Sequence, residues 1–264
     1  MAVCYNIKMS ILQLLLAWLL CSLVMSMAFV VYWLSRQVAS ADLFWGPGIG
    51  LVGIMMVGLY GMKDPQGWYV LMLVWLWAIR LSAYLWWTRF RVQKPERRLD
   101  AMINNWGKSP GWNLYRQYLL QAALQALVAL PLLVLPFWQM SPTIVFLMSI
   151  LALFSLGGEA LADWQLYQFT QDPKEPPNTV CQRGLWYYSR HPNAFFDILF
   201  WLSIALMGIG NVSMIVALIG VVVLGFIFIV LTIPITESYS LKKRLDYALY
   251  QKQVSILLPW VRKK

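Results

Sequence analysis

The sequence is poor in charge, in histidine and in cysteine. Of its 264 residues only 12% are charged, whereas a soluble domain averages about a quarter. The single histidine is His191, and the three cysteines, Cys4, Cys21 and Cys181, show no paired spacing. A structural zinc site needs about four Cys or His ligands close together in sequence. We therefore expect neither a disulfide framework nor a metal site.

Apolar residues make up 60% of the chain and are gathered into runs of about 20, the length of helix that crosses a hydrocarbon core of roughly 30 Å. Helices span lipid because they satisfy their own backbone hydrogen bonds. The sequence predicts an all-α, polytopic integral membrane protein with one domain, 1–264, and about seven transmembrane helices, six to eight being possible. The predicted spans are Ile11–Leu34, Leu43–Tyr60, Trp68–Trp87, Tyr118–Trp138, Thr143–Leu161, Ala194–Gly208 and Val212–Ile233. The sixth run is short and contains Asp197, so a tilted or re-entrant helix is an alternative.

The basic residues are distributed unevenly between the two sides of this arrangement. With seven spans, every Lys and Arg except Lys8, Lys63 and Arg80 falls on the side that carries the C-terminus. The positive-inside rule makes that side cytoplasmic and the N-terminus external, and we expect a bacterial inner membrane. The net charge of +10 does not indicate nucleic acid, because no nucleic-acid-binding module accompanies it. The sequence does not indicate an oligomeric state.

Gly48, Gly50 and Gly53 have the GxGxxG spacing of a dinucleotide-binding turn. That motif works between a strand and a helix, where the pyrophosphate meets the helix N-terminus, but here it lies inside an apolar run. We interpret Gly46, Gly50 and Gly53 as small residues that let a neighbouring helix approach closely.

Polar residues are concentrated between Glu159 and Asp197 and again after Glu237. Polar groups at membrane depth are costly and therefore need partners or a function. Arg190 offers a planar fork for phosphate oxygens, His191 a titratable donor and Asn193 a two-way amide. An alternative is that Arg190 and His191 anchor the loop at the lipid headgroups. The carboxylates occur one helical turn from another polar residue, as Glu159 with Asp163 and as Asn193 with Asp197, so each pair shares a helix face.

The segment GLWYYSRHPN, which ends at Asn193, resembles the signature of bacterial membrane proteins similar to the C-terminal domain of steroid 5α-reductases (domain of unknown function 1295). The resemblance covers 75–260. The last part, TESYSLKKRLDYALYQKQVSILLPW, fits that family's ending at Glu237, Leu241, Tyr247, Tyr250, Ser255 and Pro259. The resemblance implies an NADPH-dependent reductase of a lipid-like substrate. The residues that it places at the NADPH site are Asp163, Arg190, His191, Asn193, Asp197, Glu237, Tyr247 and Tyr250.

Arg80 lies in the middle of the third run, with Tyr84 one turn beyond it. A guanidinium in lipid keeps its proton, so we expect Arg80 to pair with a carboxylate such as Glu159 or Asp197. The pair resembles the Arg-x-x-x-Tyr of steroid reductases, in which the tyrosine polarises the carbonyl of the substrate, and this makes Tyr84 and Arg80 the candidate catalytic residues. The second run differs from those enzymes, since it has no carboxylate after Asp42. The resemblance therefore implies a lipid-like enone as acceptor without selecting a steroid over an isoprenoid or a fatty chain.

Two other functions remain open. Membrane methyltransferases of the isoprenylcysteine and phospholipid type have an RHPxY-like element and a C-terminal Glu followed by Tyr-x-x-Tyr, and they bind S-adenosylmethionine. Glu237, Tyr247 and Tyr250 suit them, whereas Asn193 and Asp197 fit the reductases better. A transporter or scaffold would spread its ionisable residues along the midplane or repeat them in two halves.

The basic connection from Arg89 to Lys108 is predicted to bind anionic headgroups, or else nucleotide phosphates.

Overall fold

The computed structural model describes residues 2–37, 39–92, 110–176, 178–244 and 246–262. Throughout these ranges the regular structure is helical, apart from one isolated parallel bridge between Ser189 and Ser255. The helices are α1 (Ala2–Ser35), α2 (Ala39–Leu43), α3 (Trp45–Tyr60), α4 (Gly67–Leu85), α5 (Pro110–Val128), α6 (Leu130–Val134), α7 (Pro142–Gln171), α8 (Pro192–Leu206), α9 (Met214–Phe226), α10 (Ile233–Lys243) and α11 (Tyr247–Gln253). Short π-helical turns follow α4 (Trp86–Phe90) and α9 (Ile227–Thr232), and 3₁₀ turns cover Leu135–Phe137 and Gly184–Tyr187.

Within the described residues, five helical stretches are long and apolar enough to cross a membrane, and they confirm an all-α polytopic membrane protein. They are Ile11–Ser35, Ala39–Tyr60, Gly67–Phe90, Pro142–Gln171 and Met214–Lys243. A sixth span is formed if the bent pair Gly111–Val128 and Leu130–Phe137 is counted as one. The remaining predicted span corresponds to α8, which has 15 residues and is shorter than the others.

Several helix ends differ from the predicted ones. α7 continues past Leu161 to Gln171. The last span continues past Ile233 to Lys243, because a π turn carries the chain from α9 into α10 without ending the helix, so Glu237 lies on a continuing helix. The bend of 50° before Leu130 falls beside Pro131, which lacks the N–H that a continuous helix needs.

The chain divides into two compact units. Unit 1 consists of Met1–Pro142 and Gly208–Gly220, and unit 2 of Thr143–Met207 and Val221–Lys264. In both units many large apolar side chains are exposed, for example Met72 in unit 1 and Phe146 and Val222 in unit 2. Such faces are typical of a protein that lipid surrounds. The protein is an integral membrane protein.

In unit 1 the glycines of α3 provide close contact with α4. A Cβ atom on Gly46 would lie 2.9 Å from the Cα atom of Ala78, and one on Gly50 would lie 2.9 Å from the indole of Trp75. A Cβ atom on Gly53 would meet Leu71. These clashes confirm that Gly46, Gly50 and Gly53 are packing residues. GxGxxG here lies within a helix of an all-α unit, which is not the context of a nucleotide turn.

Unit 1 also contains a break in the helix between α2 and α3, at Phe44. The amide of Gln125 donates to the carbonyls of Phe44 and Trp45 at 3.1 and 2.6 Å, and the hydroxyl of Ser82 donates to the carbonyl of Leu43 at 2.9 Å. We call these residues the helix-break cluster. A broken helix is tolerated at membrane depth when side chains satisfy the freed backbone groups. Ser82 has that role for the carbonyl of Leu43, because Pro47 four residues later has no N–H. The fully buried Gln125 adds donors beside the break, where the carbonyl of Phe44 also accepts the N–H of Gly48 at 3.1 Å.

In unit 2 the chain after α7 folds back onto it. Trp186 of the 3₁₀ turn donates its indole N–H to the carbonyl of Ala162 at 2.9 Å, and the side-chain oxygen of Gln165 accepts the N–H of Leu185 at the same distance. Gly184 has a φ of +56° and lies against Gln165, where a side chain would be both strained and obstructed. The turn is thereby fixed, and it delivers the following residues, Ser189 to Asn193, to the start of α8.

Candidate functional site

The segment Ser189–Arg190–His191 is held by the C-terminal part of the chain. The N–H of Arg190 donates to the carbonyl of Ser255 at 2.8 Å, and the hydroxyl of Ser189 donates to the carbonyl of Leu257 at 2.7 Å. The Ser189 hydroxyl oxygen also accepts the N–H of His191 at 3.2 Å. His191 then precedes Pro192, the first residue of α8, a position that proline favours because its missing N–H is not needed there.

Glu237 is the acceptor at the centre of the site, and we call its contacts the Glu237 cluster. Its Oε1 atom lies 2.7 Å from Nε of Arg190, 3.1 Å from Nε2 of His191 and 3.3 Å from the hydroxyl of Tyr247. Its Oε2 atom accepts the amide of Gln251 at 2.6 Å and a long contact of 3.4 Å from Arg190. The Arg190 and Glu237 side chains are only 11% and 9% exposed. Because an ionised carboxylate only accepts, this set of donors favours the charged form of Glu237.

Arg190 is committed to contacts within the chain. Besides Glu237, it donates from Nη1 to the carbonyls of Gln251 and Val254 at 2.7 and 2.9 Å. A guanidinium has five N–H donors, so four contacts leave about one for any ligand. The geometry therefore gives Arg190 a different principal task from the phosphate fork expected from its chemistry. It joins the RHP segment to α10 and α11.

Tyr250 and Tyr247 occupy adjacent positions on the buried face of α11. The hydroxyl of Tyr250 donates to the carbonyls of Trp186 and Ser189 at 2.5 and 3.2 Å, so this side chain clamps the 3₁₀ turn. Burial raises the pKa of both phenols above the ordinary value, and for Tyr247 the negative charge of Glu237 adds to the effect. Both tyrosines are therefore neutral hydrogen-bond donors at physiological pH.

The predicted carboxylates of α7 and α8 are buried in unit 2. Glu159 and Asp163 are each 4% exposed and Asp197 is 8% exposed. The amide of Asn193 donates to a carboxylate oxygen of Asp163 at 3.4 Å, so the structure brings these two together. His191 and Asn193 lie on either side of Pro192, the first residue of α8. They contact different carboxylates, those of Glu237 and Asp163.

The other predicted residues lie in unit 1 or outside the described residues. Arg80 and Tyr84 lie half-buried on α4 in unit 1, and the proposed pairing of Arg80 with Glu159 or Asp197 stays a prediction. Most of the basic connection from Arg89 to Lys108 falls outside the described residues, which resume at Pro110.

Sequence reasoning missed two members of the site, Gln251 and Ser189. Gln251 lies one turn after Tyr247 on α11, and the i, i+4 spacing places them on one face, which is a signal that could have been used. Ser189 directly precedes Arg190, but its contact with Leu257 joins residues far apart in sequence, and no local pattern predicts it.

The polar groups of unit 2 suit the ribose and carboxamide parts of a dinucleotide better than its phosphates. Carboxylates and an amide, as in Asp163, Asp197 and Asn193, suit ribose hydroxyls and a carboxamide. For phosphates the available cations in unit 2 are exposed, and they include Lys242 and Lys243 in the last turn of α10. Among the described residues no group of three or more His, Cys, Asp or Glu side chains is arranged to hold a metal ion.

Fold and site together define an α-helical polytopic membrane protein with a buried, charged cluster in its C-terminal half. Residues 28–254 match the family described as "Protein of unknown function (DUF1295)". The match covers most of the chain, which therefore belongs to this family. No curated protein and no solved structure matches the chain.

Proposed function

We propose that this protein is an NADPH-dependent reductase, embedded in the membrane, that saturates the conjugated carbon–carbon double bond of a lipid-like enone. The observation that carries the proposal is the arrangement at the start of α8, where Asn193 lies beside Asp163 and His191 is held by Glu237. The resemblance of GLWYYSRHPN to steroid-reductase-like proteins supplies the reaction class.

In this proposal His191, Asn193, Asp163 and Asp197 would hold the nicotinamide and ribose parts of NADPH through hydrogen bonds. Lys242 and Lys243, with the remaining N–H of Arg190, would meet its phosphates. Glu237, Tyr247 and Tyr250 would act on the cofactor through the residues that they fix. Bound NADPH would supply the hydride.

Tyr84 would act on the substrate. When a hydride reaches the β-carbon of an enone, negative charge gathers on the carbonyl oxygen. A preorganised hydroxyl stabilises that charge and can pass a proton. Arg80, one turn away on α4, would strengthen this donor by its positive charge.

The same proposal includes an orientation. The basic end of α10 and the basic residues of the tail would face the cytoplasm, where NADPH is available, and the N-terminus would be outside the inner membrane. Fusion of a reporter enzyme to either terminus in a bacterial host tests this. Cytoplasmic activity of the C-terminal fusion is expected, and activity of that fusion only outside the cytoplasm would reject it.

The proposal is tested by equilibrium binding of NADPH and of S-adenosylmethionine to the purified protein. We expect saturable NADPH binding that Asn193→Leu abolishes. Asn211→Leu is the matched control, since Asn211 contacts Gln139 in unit 1 and should leave binding unchanged. Absence of NADPH binding to the folded wild-type protein would reject the reductase.

One observation also favours a methyltransferase. Glu237 contacts Arg190, His191 and Tyr247, and these are the elements that resemble isoprenylcysteine and phospholipid methyltransferases. Binding of S-adenosylmethionine without NADPH would decide for this second function.

The role of Tyr84 is tested separately. Tyr84→Phe should keep NADPH affinity and lower the rate of enone reduction by about 10²-fold or more, the scale of a lost acid or oxyanion donor. Tyr69→Phe, a change at an exposed tyrosine of the same helix, is the control. An unchanged rate in Tyr84→Phe would remove Tyr84 from the mechanism.

A further inference from the structure

The ring of His191 is held through only one of its two nitrogens. Nε2 lies 3.1 Å from Oε1 of Glu237, and the side chain is 12% exposed. Within the described residues, Nδ1 has no hydrogen-bond partner. The ring therefore has one nitrogen that the chain uses and one that is available to a ligand.

Glu237 determines which nitrogen carries the hydrogen of a neutral ring. Its carboxylate already accepts from Arg190, Gln251 and Tyr247, an arrangement that favours the ionised form. An ionised carboxylate has no proton to donate, so the contact with His191 exists only if Nε2 carries the hydrogen. In a neutral imidazole the other nitrogen is then an acceptor.

We infer that Glu237 is a positioning residue that fixes His191 as the Nε2–H tautomer, with Nδ1 presented as the hydrogen-bond acceptor for a donor group of the ligand. The tautomer follows from the contacts alone, whereas the identity of the ligand as NADPH rests on the proposed function. The chemistry recognised at Nδ1 is a neutral N–H or O–H donor, such as a carboxamide or a ribose hydroxyl.

Arg190 and Gln251 support this arrangement. Arg190 joins Glu237 to the carbonyls of Gln251 and Val254, and Gln251 holds the second carboxylate oxygen. The Glu237 carboxylate is therefore gripped on both oxygens, and its direction toward His191 is fixed. A partner that orients a functional histidine in this way sets both its tautomer and its ring plane.

The chain contains one histidine, so ¹⁵N-histidine labelling gives the two ring nitrogens of His191 and no others. NMR of the labelled protein in lipid nanodiscs, across a pH series that includes the neutral ring, should show hydrogen on Nε2. Tyr247→Phe, which leaves the carboxylate in place, should keep this signature, and Glu237→Leu should lose the preference. Hydrogen on Nδ1 in the neutral wild-type ring would overturn the inference without recourse to any variant.

Addition of NADPH to the labelled protein tests this inference separately from the proposed function. NADPH should shift the Nδ1 resonance more than that of Nε2. His191→Gln, whose amide N–H can still donate to Glu237 but which has no acceptor atom at the position of Nδ1, should stay folded and lose NADPH affinity at least tenfold. If NADPH binds but neither Nδ1 nor His191→Gln responds, the ligand contact is wrong. If NADPH fails to bind while the tautomer is as stated, only the proposed function fails.

Discussion

The helix-break cluster of unit 1 and the Glu237 cluster of unit 2 both bury polar groups in a chain that is 60% hydrophobic, but they do so differently. In unit 1, neutral side chains such as Gln125 and Ser82 donate to backbone carbonyls beside a helix break. In unit 2, the charged side chain of Arg190 and three further donors contact one carboxylate, from residues 10 to 47 positions away.

Under the proposed function, the difference separates a structural task from a functional one. The helix-break cluster supplies donors to carbonyls at a break that the fold itself created, although Oε1 of Gln125 has no hydrogen-bond partner among the described residues. Two buried charges are a costly way to join segments, since apolar residues of the same shape often do as well or better. The Glu237 cluster also leaves one nitrogen of His191 available, which is what a binding site requires.

The largest effect is expected for Glu237→Ala. Removal of one member of a buried ion pair leaves the guanidinium of Arg190 without its counter-charge and typically costs about 3–5 kcal/mol. Thermal unfolding in detergent measures the loss. Asp42→Ala is the control, because its pair with Arg89 is about half exposed and should contribute only about 0–1 kcal/mol. Equal losses in the two variants would contradict the special position of Glu237.

A smaller effect is expected for Gln125→Leu in the helix-break cluster. The change removes two hydrogen bonds, to the carbonyls of Phe44 and Trp45, each of which contributes about 0.5–1.5 kcal/mol; the carbonyl of Phe44 keeps the N–H of Gly48. Gln139→Leu, at an exposed position of the same unit, should change stability by less than about 0.5 kcal/mol. If Gln125→Leu also abolished NADPH binding in a folded protein, the helix-break cluster would not be purely structural.

Tyr250→Phe should cost about 1 kcal/mol. It removes the hydroxyl that donates to Trp186 and Ser189, and a single hydrogen bond contributes about 0.5–1.5 kcal/mol. Comparison with Tyr239→Phe, at an exposed tyrosine, isolates the clamp. A Tyr250→Phe protein as stable as wild type would show that the 3₁₀ turn does not need it.

The smallest expected effect is on the loss of stability at alkaline pH. Tyr247 and Tyr250 have pKa values raised by burial above the ordinary value of 10.0. In the unfolded chain these phenols lose their protons near pH 10, whereas the folded protein retains them, so stability is complete below pH 10 and falls as the pH rises further. Melting temperatures between pH 8 and 11 should fall less steeply above pH 10 in Tyr247→Phe than in wild type. Identical slopes would contradict the role of burial.

Much of the fold follows from the sequence because lipid imposes it. A run of about 20 apolar residues has few alternatives to a helix, and six of the predicted runs correspond to the five long stretches and the bent pair. The break before α3 was missed, although Pro47 in its first turn is typical of a helix start. The π turn that carries the last span through to Lys243 has no comparable signal.

The site was predictable in its members more than in its geometry. The cost of polar groups in lipid pointed to Arg190, His191 and Glu237. What the sequence did not indicate is that Glu237 contacts Arg190 across 47 positions, because contacts of the segment before α8 with the C-terminal residues decide it. Most of the Arg190 guanidinium therefore joins segments of the chain instead of being available to phosphate.

Hydrogen–deuterium exchange of the protein in nanodiscs, with and without NADPH, tests the central claim most directly. Saturating NADPH should slow exchange in 184–193 and 246–254, the segments around the Glu237 cluster, and should leave 39–48 of the helix-break cluster unchanged. Slowing confined to the helix-break cluster, or slowing of the unit 2 segments by S-adenosylmethionine alone, would contradict a reductase site built around Glu237.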